Sequence, residues 1–149
     1  MTYDVTFTEV AEQNTAVRRG HVDHMGIADF LGGAFGAVAG VLGAQGLEPA
    51  GPPFAMYAVA ADGGWVIEAG FPVFDPIEAT DDVVPSTLPG GSVAQTIHRG
   101  SYDGLQAAYQ AVEAFIAAAG FRLGDGAWES YLDEPGTPDQ RTLVVMTLR

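Results

Sequence analysis

Alternating apolar and polar positions predict β-strands along most of the chain, interrupted by two segments with helical spacing. The first helix is predicted from about Ile27 to Gln45. The second is predicted to begin after Ser101, a candidate N-cap, and to end at Gly120, which suits a helix C-terminus. The apolar positions of the second helix recur at helical spacing at Leu105, Tyr109, Val112 and Ile116.

Turn signals and composition predict how the strands are connected. The tetrapeptide ADGG separates two alternating segments, PFAMYAVA and GWVIEAGFPVF, and predicts a hairpin. Near the N-terminus, DVTFTEV and NTAVRRGHV are predicted to pair as a second hairpin. Asp75 to Pro89 contains four acidic residues and three prolines, so it is predicted to be a solvated connector. GAWESYLDE and RTLVVMTLR are the predicted closing strands.

The two halves of the chain resemble each other. Gly46–Tyr57 aligns without a gap to Gly120–Tyr131 at an offset of 74 residues, 131 − 57 = 74. Upstream, RRG before the first helix corresponds to HRG before the second, with six extra residues in the first copy. Each copy, roughly 14–74 and 92–149, therefore follows the order strand, helix, strand, strand within a single domain of 1–149. Such a duplication favours packing about a pseudo-two-fold axis with a ligand cleft between the copies.

Composition narrows the class of function. Six Lys and Arg against nineteen Asp and Glu give a net charge of −13, which repels phosphate backbones and argues against direct nucleic-acid binding. The chain has no cysteine, which excludes disulfides and thiolate chemistry. The uncharged segment Phe30–Leu47 is short for a membrane span and is predicted to be a helix buried on most of its circumference. The N-terminal sequence lacks an apolar signal core, so a cytoplasmic location is expected.

Glu129 is the main candidate for chemistry, because it lies in a stretch that otherwise reads as a buried strand. Strand alternation places Glu129 and Tyr131 on one face, and the repeat matches them to Ala55 and Tyr57. A buried carboxylate is costly, so Glu129 faces water at a sheet edge, pairs within the protein, or meets a ligand. Across a two-fold axis, Tyr57, Tyr131 and Glu129 would form a box for a flat organic cation, and burial would raise the pKa of Glu129. Tyr102 is either a cleft residue or part of the helix start.

Other polar residues give weaker signals. His21, Asp23 and His24 in GHVDHMG suggest a metal site or an acid–base dyad, but the spacing is unspecific and no third ligand is evident. We therefore expect no metal and no cofactor. His98, at a predicted strand end, is interpreted as structural.

The segment HRGSYDGLQAAYQAVEAFIAAAGFRLGDGAWESYLDEP resembles the GyrI-like small-molecule-binding domain, the effector-binding domain of AraC- and MerR-type transcription activators. The motifs that carry the resemblance are Gly-Ser-Tyr at the helix start and the aromatic-Glu-x-Tyr strand ending at Tyr131. The resemblance covers essentially the whole chain. It implies an α+β fold of two strand-helix-strand-strand modules, with an antiparallel sheet, two main helices and a central cleft. It also implies that Glu129 meets cationic aromatic drugs. No DNA-binding segment is evident in this sequence, which suggests a stand-alone form.

Three functions follow from these observations. The first is multidrug binding, for sensing, sequestration or drug resistance, with Glu129, Tyr131, Tyr57 and Tyr102 at the ligand. The expected apolar walls are Phe30, Trp65 and Phe71. The second, which some family members perform, is hydrolysis of cyclopropane-bearing DNA-alkylating natural products, with Glu129 and Tyr131 as catalytic residues. The third is a protein-interaction module, such as a gyrase-modulating partner. A separate transcription regulator or a second copy of the chain are the expected protein partners.

Overall fold

A computed structural model describes residues 3–134 and 136–149, except for the side chains at positions 24 and 59. The described chain combines antiparallel strands with two α-helices, which confirms the predicted α+β class. It separates into two compact units. The first unit is Glu12–Pro89, and the second unit is Gly90–Arg149 together with the segment ending at Ala11.

The first unit contains four strands and the longer helix. In chain order these are β2 (Gln13–Val22), α1 (Ile27–Ala44), β3 (Phe54–Val59), β4 (Trp65–Pro72) and β5 (Val83–Leu88). Within this unit the strands lie in the order β3-β4-β2-β5, and all pairs are antiparallel. The hairpin predicted around ADGG is confirmed by the β3–β4 pairing. The prediction of a solvated connector at 75–89 was wrong in part, because β5 lies within it and pairs with β2.

Helix α1 is less buried than its sequence predicted. A single stripe, Ala34, Val38 and Leu42, is fully buried and packs against Ala16 and its neighbours in the core of the first unit. The opposite side is exposed and consists largely of glycine and alanine, so little apolar area is gained by covering it. The helix is long and apolar enough to cross a membrane by length and composition alone, which core helices also satisfy. The prediction that most of its circumference is buried was therefore wrong.

The second unit repeats this architecture. Its elements are β1 (Thr6–Val10), β6 (Gly91–Arg99), α2 (Leu105–Ala118), β7 (Leu123–Tyr131) and β8 (Arg141–Leu148), with strand order β1-β6-β8-β7. The hairpin predicted between the first two strands was wrong, because β1 pairs with β6 and β2 pairs with β4 and β5. The buried stripe of α2 packs on residues of β6 and β8. This core comprises Leu105, Ala108, Val112, Ile116, Ala94, Val144 and Met146.

The internal repeat is visible in both backbone and register, but its offset changes within the helices. Gly46 and Gly120 both have positive φ, 71° and 83°, and both follow their helix, which agrees with the offset of 74. Upstream, Gly20 and Tyr57 both pair with Ile67, and His98 and Tyr131 both pair with Thr142. Gly20 is therefore the counterpart of His98, at an offset of 98 − 20 = 78. The difference of four equals the difference between the 18 residues of α1 and the 14 of α2. The predicted correspondence of RRG with HRG, which assumes six extra residues in the first copy, is therefore displaced by two residues from the one that the sheet register gives.

Candidate functional site

Glu129 lies on the face of the second unit's sheet that is covered by α2. In the β7–β8 ladder it is opposite Val144, and Val144 belongs to the core beneath α2. Directly opposite residues share a face, so Glu129 also faces the helix. Its exposed fraction is 7%, which excludes the alternative of a solvated residue at a sheet edge.

Two phenols hold the Glu129 carboxylate. The Tyr109 hydroxyl, on α2, donates a hydrogen bond to Oε2 at 2.6 Å. The Tyr131 hydroxyl, two residues along β7, donates to Oε1 at 2.9 Å. Each carboxylate oxygen therefore has a donor from a different element. Sequence reasoning assigned Tyr109 only to the apolar stripe of the helix. The signal that could have identified it is its hydroxyl group, which a purely hydrophobic position does not need.

Burial raises the pKa of Glu129, because the charged form loses its hydration. The hydrogen bonds from Tyr109 and Tyr131, followed by the electrostatic influence of His98, oppose that rise. The six basic residues of the chain other than histidine are all arginines, and in its described part every arginine that forms an ion pair does so with an aspartate or with Glu68, and none with Glu129. Glu129 is thus hydrogen-bonded by neutral donors and forms no salt bridge among these residues.

Tyr102 covers the outer side of this group. It opens the single 3₁₀ turn Tyr102–Gly104 that leads into α2, and its ring meets the Tyr131 ring at 5.6 Å and 62°. It is 38% exposed, so part of the residue is open to solvent. Desolvation raises the pKa of its phenol, and the nearby negative charge of Glu129 adds to that rise. The structure therefore brings together Glu129, Tyr131 and Tyr102 from the predicted set, and adds Tyr109.

The remaining predicted residues, Tyr57, Trp65, Phe30 and Phe71, belong to the first unit. Tyr57 occupies the position equivalent to Tyr131, and its ring meets the Trp65 ring edge-on at 6.0 Å. The Phe30 ring lies over Gly20, where any Cβ would overlap it. Phe71 packs against Phe35 at 6.1 Å. All four predicted side chains are half-buried, and their role at a ligand remains a prediction.

The histidine-rich stretch does not assemble a metal site in the described residues. His21 Nε2 lies 3.0 Å from Asp62 Oδ1 at the surface, and Asp23 caps the 3₁₀ turn by accepting from the Gly26 N–H. The His24 side chain lies outside the described structure. Among the described residues, no group of three His, Asp or Glu side chains is arranged to hold a metal.

A separate groove of about 370 Å³ lies in the first unit between α1 and residues 80–83. Its lining includes Gly36 and Gly40 of α1 and the Arg18–Asp82 ion pair, whose atoms lie 2.8 Å apart. None of the predicted site residues lines it, so it is distinct from the group around Glu129.

Comparison with known proteins places this geometry in context. A profile of the GyrI-like small-molecule-binding domain matches residues 3–148. Comparison with curated protein sequences gave no significant match.

The structure is similar to that of the EcmrR C-terminal domain, with a TM-score of 0.84 and 19% identity over 100% of this chain and 99% of that one. It is also similar to a hydrolase from Listeria innocua, with a TM-score of 0.68 and 14% identity over 97% and 91% of the two chains. A third similar structure is SAV2435 bound to tetraphenylphosphonium, with a TM-score of 0.65 and 14% identity over 100% and 94%. At these identities the similarity establishes the fold alone.

Proposed function

The chain belongs to the GyrI-like small-molecule-binding domain family, as its sequence predicted, and from this premise we propose that it binds lipophilic, often cationic aromatic molecules with Glu129 as their counter-ion. The observation that carries the proposal is a carboxylate that is 7% exposed and has two phenol donors. Such a group gains most from a ligand that supplies a positive charge in direct contact, because among the described residues no arginine forms an ion pair with Glu129.

The aromatic rings around Glu129 suit the same ligand class. The Tyr102 and Tyr131 rings are in contact, and the faces of phenol rings attract cations through their quadrupole. Because it is partly exposed, Tyr102 offers a first contact for an arriving aromatic cation. SAV2435, which shares the fold, was determined with tetraphenylphosphonium, a lipophilic aromatic cation. These features support binding by stacking and charge pairing, with few directional hydrogen bonds and therefore broad selectivity.

The test compares a charged ligand with a neutral one in matched variants. Tetraphenylphosphonium and the uncharged triphenylphosphine oxide would be titrated into wild-type protein, Glu129→Gln and Glu113→Gln by calorimetry. Glu113 is an exposed acid on α2, so its variant loses the same charge without altering the site. We expect Glu129→Gln alone to weaken binding of the cation, while binding of the neutral ligand changes little. Equal affinity of all three proteins for the cation would exclude Glu129 as the counter-ion.

Hydrolysis is the second candidate function, and the raised pKa of Glu129 is the observation that favours it. A carboxylate with a pKa moved toward neutrality is a better general base at physiological pH. On a cyclopropane conjugated to a carbonyl, Glu129 would accept a proton from water while the water oxygen bonds to a ring carbon. The ring C–C bond to that carbon breaks in the same step, and its electrons move onto the carbonyl oxygen. The Tyr131 hydroxyl, which donates to Glu129 in the free protein, would turn to donate to this oxygen. Glu129 then returns its proton to the ring-opened product. The net reaction adds one water molecule.

Turnover separates the two functions, because both use the same residues. Incubation with a cyclopropane-bearing alkylator, followed by chromatography, would reveal the ring-opened product. Product from wild-type protein but not from Glu129→Gln would establish the hydrolase. Binding without product would leave the drug-binding function. A cytoplasmic location, a role in drug resistance, and association with a separate regulator or a second copy remain predictions of the sequence.

A further inference from the structure

His98 is a buried imidazole that the proposed function does not use. It is 4% exposed, its Nδ1 lies 2.8 Å from the Tyr3 hydroxyl, and its Nε2 lies 2.7 Å from the Ser101 carbonyl oxygen. A backbone carbonyl only accepts hydrogen bonds, so Nε2 carries the proton that Ser101 receives. In the neutral ring, Nδ1 then accepts from the Tyr3 hydroxyl. One side chain thus joins the segment before β1 to the turn that precedes α2.

Gly104 leaves room for this imidazole. A Cβ at position 104 would lie 2.8 Å from His98 Cε1 and 3.2 Å from Nε2, closer than packed atoms tolerate. The backbone itself does not require glycine, because its φ and ψ of −89° and −1° suit any residue. Gly26, at the same position before α1, has nearly identical angles of −90° and −3°, but a Cβ there would meet its neighbours at 3.5 Å or more. Gly26 is therefore a matched control for the contact between position 104 and His98.

The turn held by His98 carries Tyr102. The Ser101 side chain makes no capping hydrogen bond, and the turn's own bond from the Gly104 N–H to the Ser101 carbonyl is long, at 3.3 Å. The bond from His98 to the same carbonyl is 0.6 Å shorter, 3.3 − 2.7 = 0.6. His98 also lies opposite Thr142, which is opposite Tyr131, so the imidazole and the Tyr131 ring flank the same position of β8.

We propose that His98 is a positioning residue of the ligand site: it fixes the Ser101–Gly104 turn so that the Tyr102 ring stays on Tyr131 beside Glu129. The expected effect on ligand affinity rests on the proposed function. The position of the Tyr102 ring, in contrast, is a property of the free protein. Tyr3 holds the other side of the imidazole, so the N-terminal segment contributes to the site through His98.

A double-mutant cycle tests this chain of contacts. Wild-type protein, Gly104→Ala, His98→Ala, the double variant and Gly26→Ala would be titrated with tetraphenylphosphonium. We expect Gly104→Ala and His98→Ala each to weaken binding about tenfold, comparable to the loss of one hydrogen bond. The double variant should bind no more weakly than His98→Ala alone, because the added methyl group acts only by displacing the imidazole. Gly26→Ala should bind as wild type does. His98→Gln, whose amide N–H can replace the Nε2 donor, should recover part of the affinity lost in His98→Ala.

A ligand-free readout separates failure of this inference from failure of the proposed function. Nuclear Overhauser contacts between the Tyr102 and Tyr131 rings would be recorded for each variant, with urea denaturation as the check on folding. Loss of these contacts in His98→Ala and Gly104→Ala, but not in Gly26→Ala, supports positioning even if no cation binds. Contacts that persist in every variant overturn the inference, and so does wild-type affinity in His98→Ala when Glu129→Gln has lost the cation.

Discussion

The hydroxyl of Tyr109 donates to Glu129 Oε2 at 2.6 Å, so helix α2 is tied to strand β7 by a hydrogen bond to a buried acid. Because Tyr131 donates to the other oxygen at 2.9 Å, the carboxylate is held in one orientation from two directions. Neutral donors stabilise the ionised form of an acid without cancelling its charge. This relationship makes Glu129 an oriented buried acid, whose ionised form the two phenols stabilise.

Removing either donor should raise the pKa of Glu129 further. We expect Tyr109→Phe and Tyr131→Phe each to raise it by about one unit, which corresponds to the net free energy of one hydrogen bond. Tyr102→Phe is the control, because within the described residues the Tyr102 hydroxyl makes no hydrogen bond to Glu129. A carbon-detected NMR titration of the Glu129 carboxyl would measure all four proteins. An unchanged pKa in both donor variants would show that these bonds are absent in solution.

Affinity for organic cations should increase with pH. A cation favours ionised Glu129, whose pKa is raised by burial, so below that pKa binding must release a proton. The dissociation constant should fall about tenfold per pH unit below the pKa of Glu129 and level off above it. Calorimetry in two buffers with different ionisation enthalpies would count the released proton. Glu129→Gln should give a flat profile, and a wild-type profile equally flat would rule out coupling to this acid.

Local sequence signals predicted the helices and strands better than they predicted which strands pair. Helix ends and the ADGG hairpin follow from glycine and turn chemistry, which act within a few residues. The pairing of β1 with β6, about 85 residues away in sequence by the register Thr8–Val93, depends on long-range packing. Strand β5 escaped prediction because the segment around it, 75–89, contains four acids and three prolines and therefore resembles a loop, yet Val83 and Leu88 supply buried apolar positions.

The residues of the candidate site also divide into those that the sequence identified and those that it did not. Glu129 and Tyr131 stand out because a carboxylate inside an apolar strand demands an explanation in any fold. Tyr109 and His98 do not stand out, because an aromatic at helical spacing and a histidine at a strand end have ordinary structural explanations. Their roles appear only when register places β6, β8 and β7 side by side with α2 above them.

Glu129 should destabilise the free protein as pH rises. Its pKa is raised in the folded state, so between the ordinary and the raised value the folded chain binds more protons than the unfolded chain. The free energy of unfolding contributed by this group is therefore full below that window and decreases as pH increases through it. We expect the free energy of unfolding of Glu129→Gln to increase relative to that of wild type as pH rises through the window, measured by urea denaturation at a series of pH values. Glu113→Gln should follow wild type throughout, and a constant difference between Glu129→Gln and wild type would contradict the expectation.

Thr142 offers a test of how complete the hydrogen bonding around the site is. It lies between His98 and Tyr131 in the sheet, is fully buried, and its hydroxyl has no hydrogen-bond partner in the described part of the chain. Thr96, also buried, donates to the Asp4 carbonyl at 2.8 Å and is the matched control. Valine replaces threonine with little change of shape, so the two substitutions differ mainly in the hydrogen bond that is lost.

We expect Thr142→Val to leave the free energy of unfolding unchanged or slightly increased, because it removes an unpaired buried hydroxyl. Thr96→Val should decrease it by about 1 kcal/mol, since the Asp4 carbonyl loses its donor. Urea denaturation of both variants beside wild type measures the difference. If Thr142→Val is as destabilising as Thr96→Val, the Thr142 hydroxyl has a partner in solution, and an ordered water beside Glu129 becomes the group to look for.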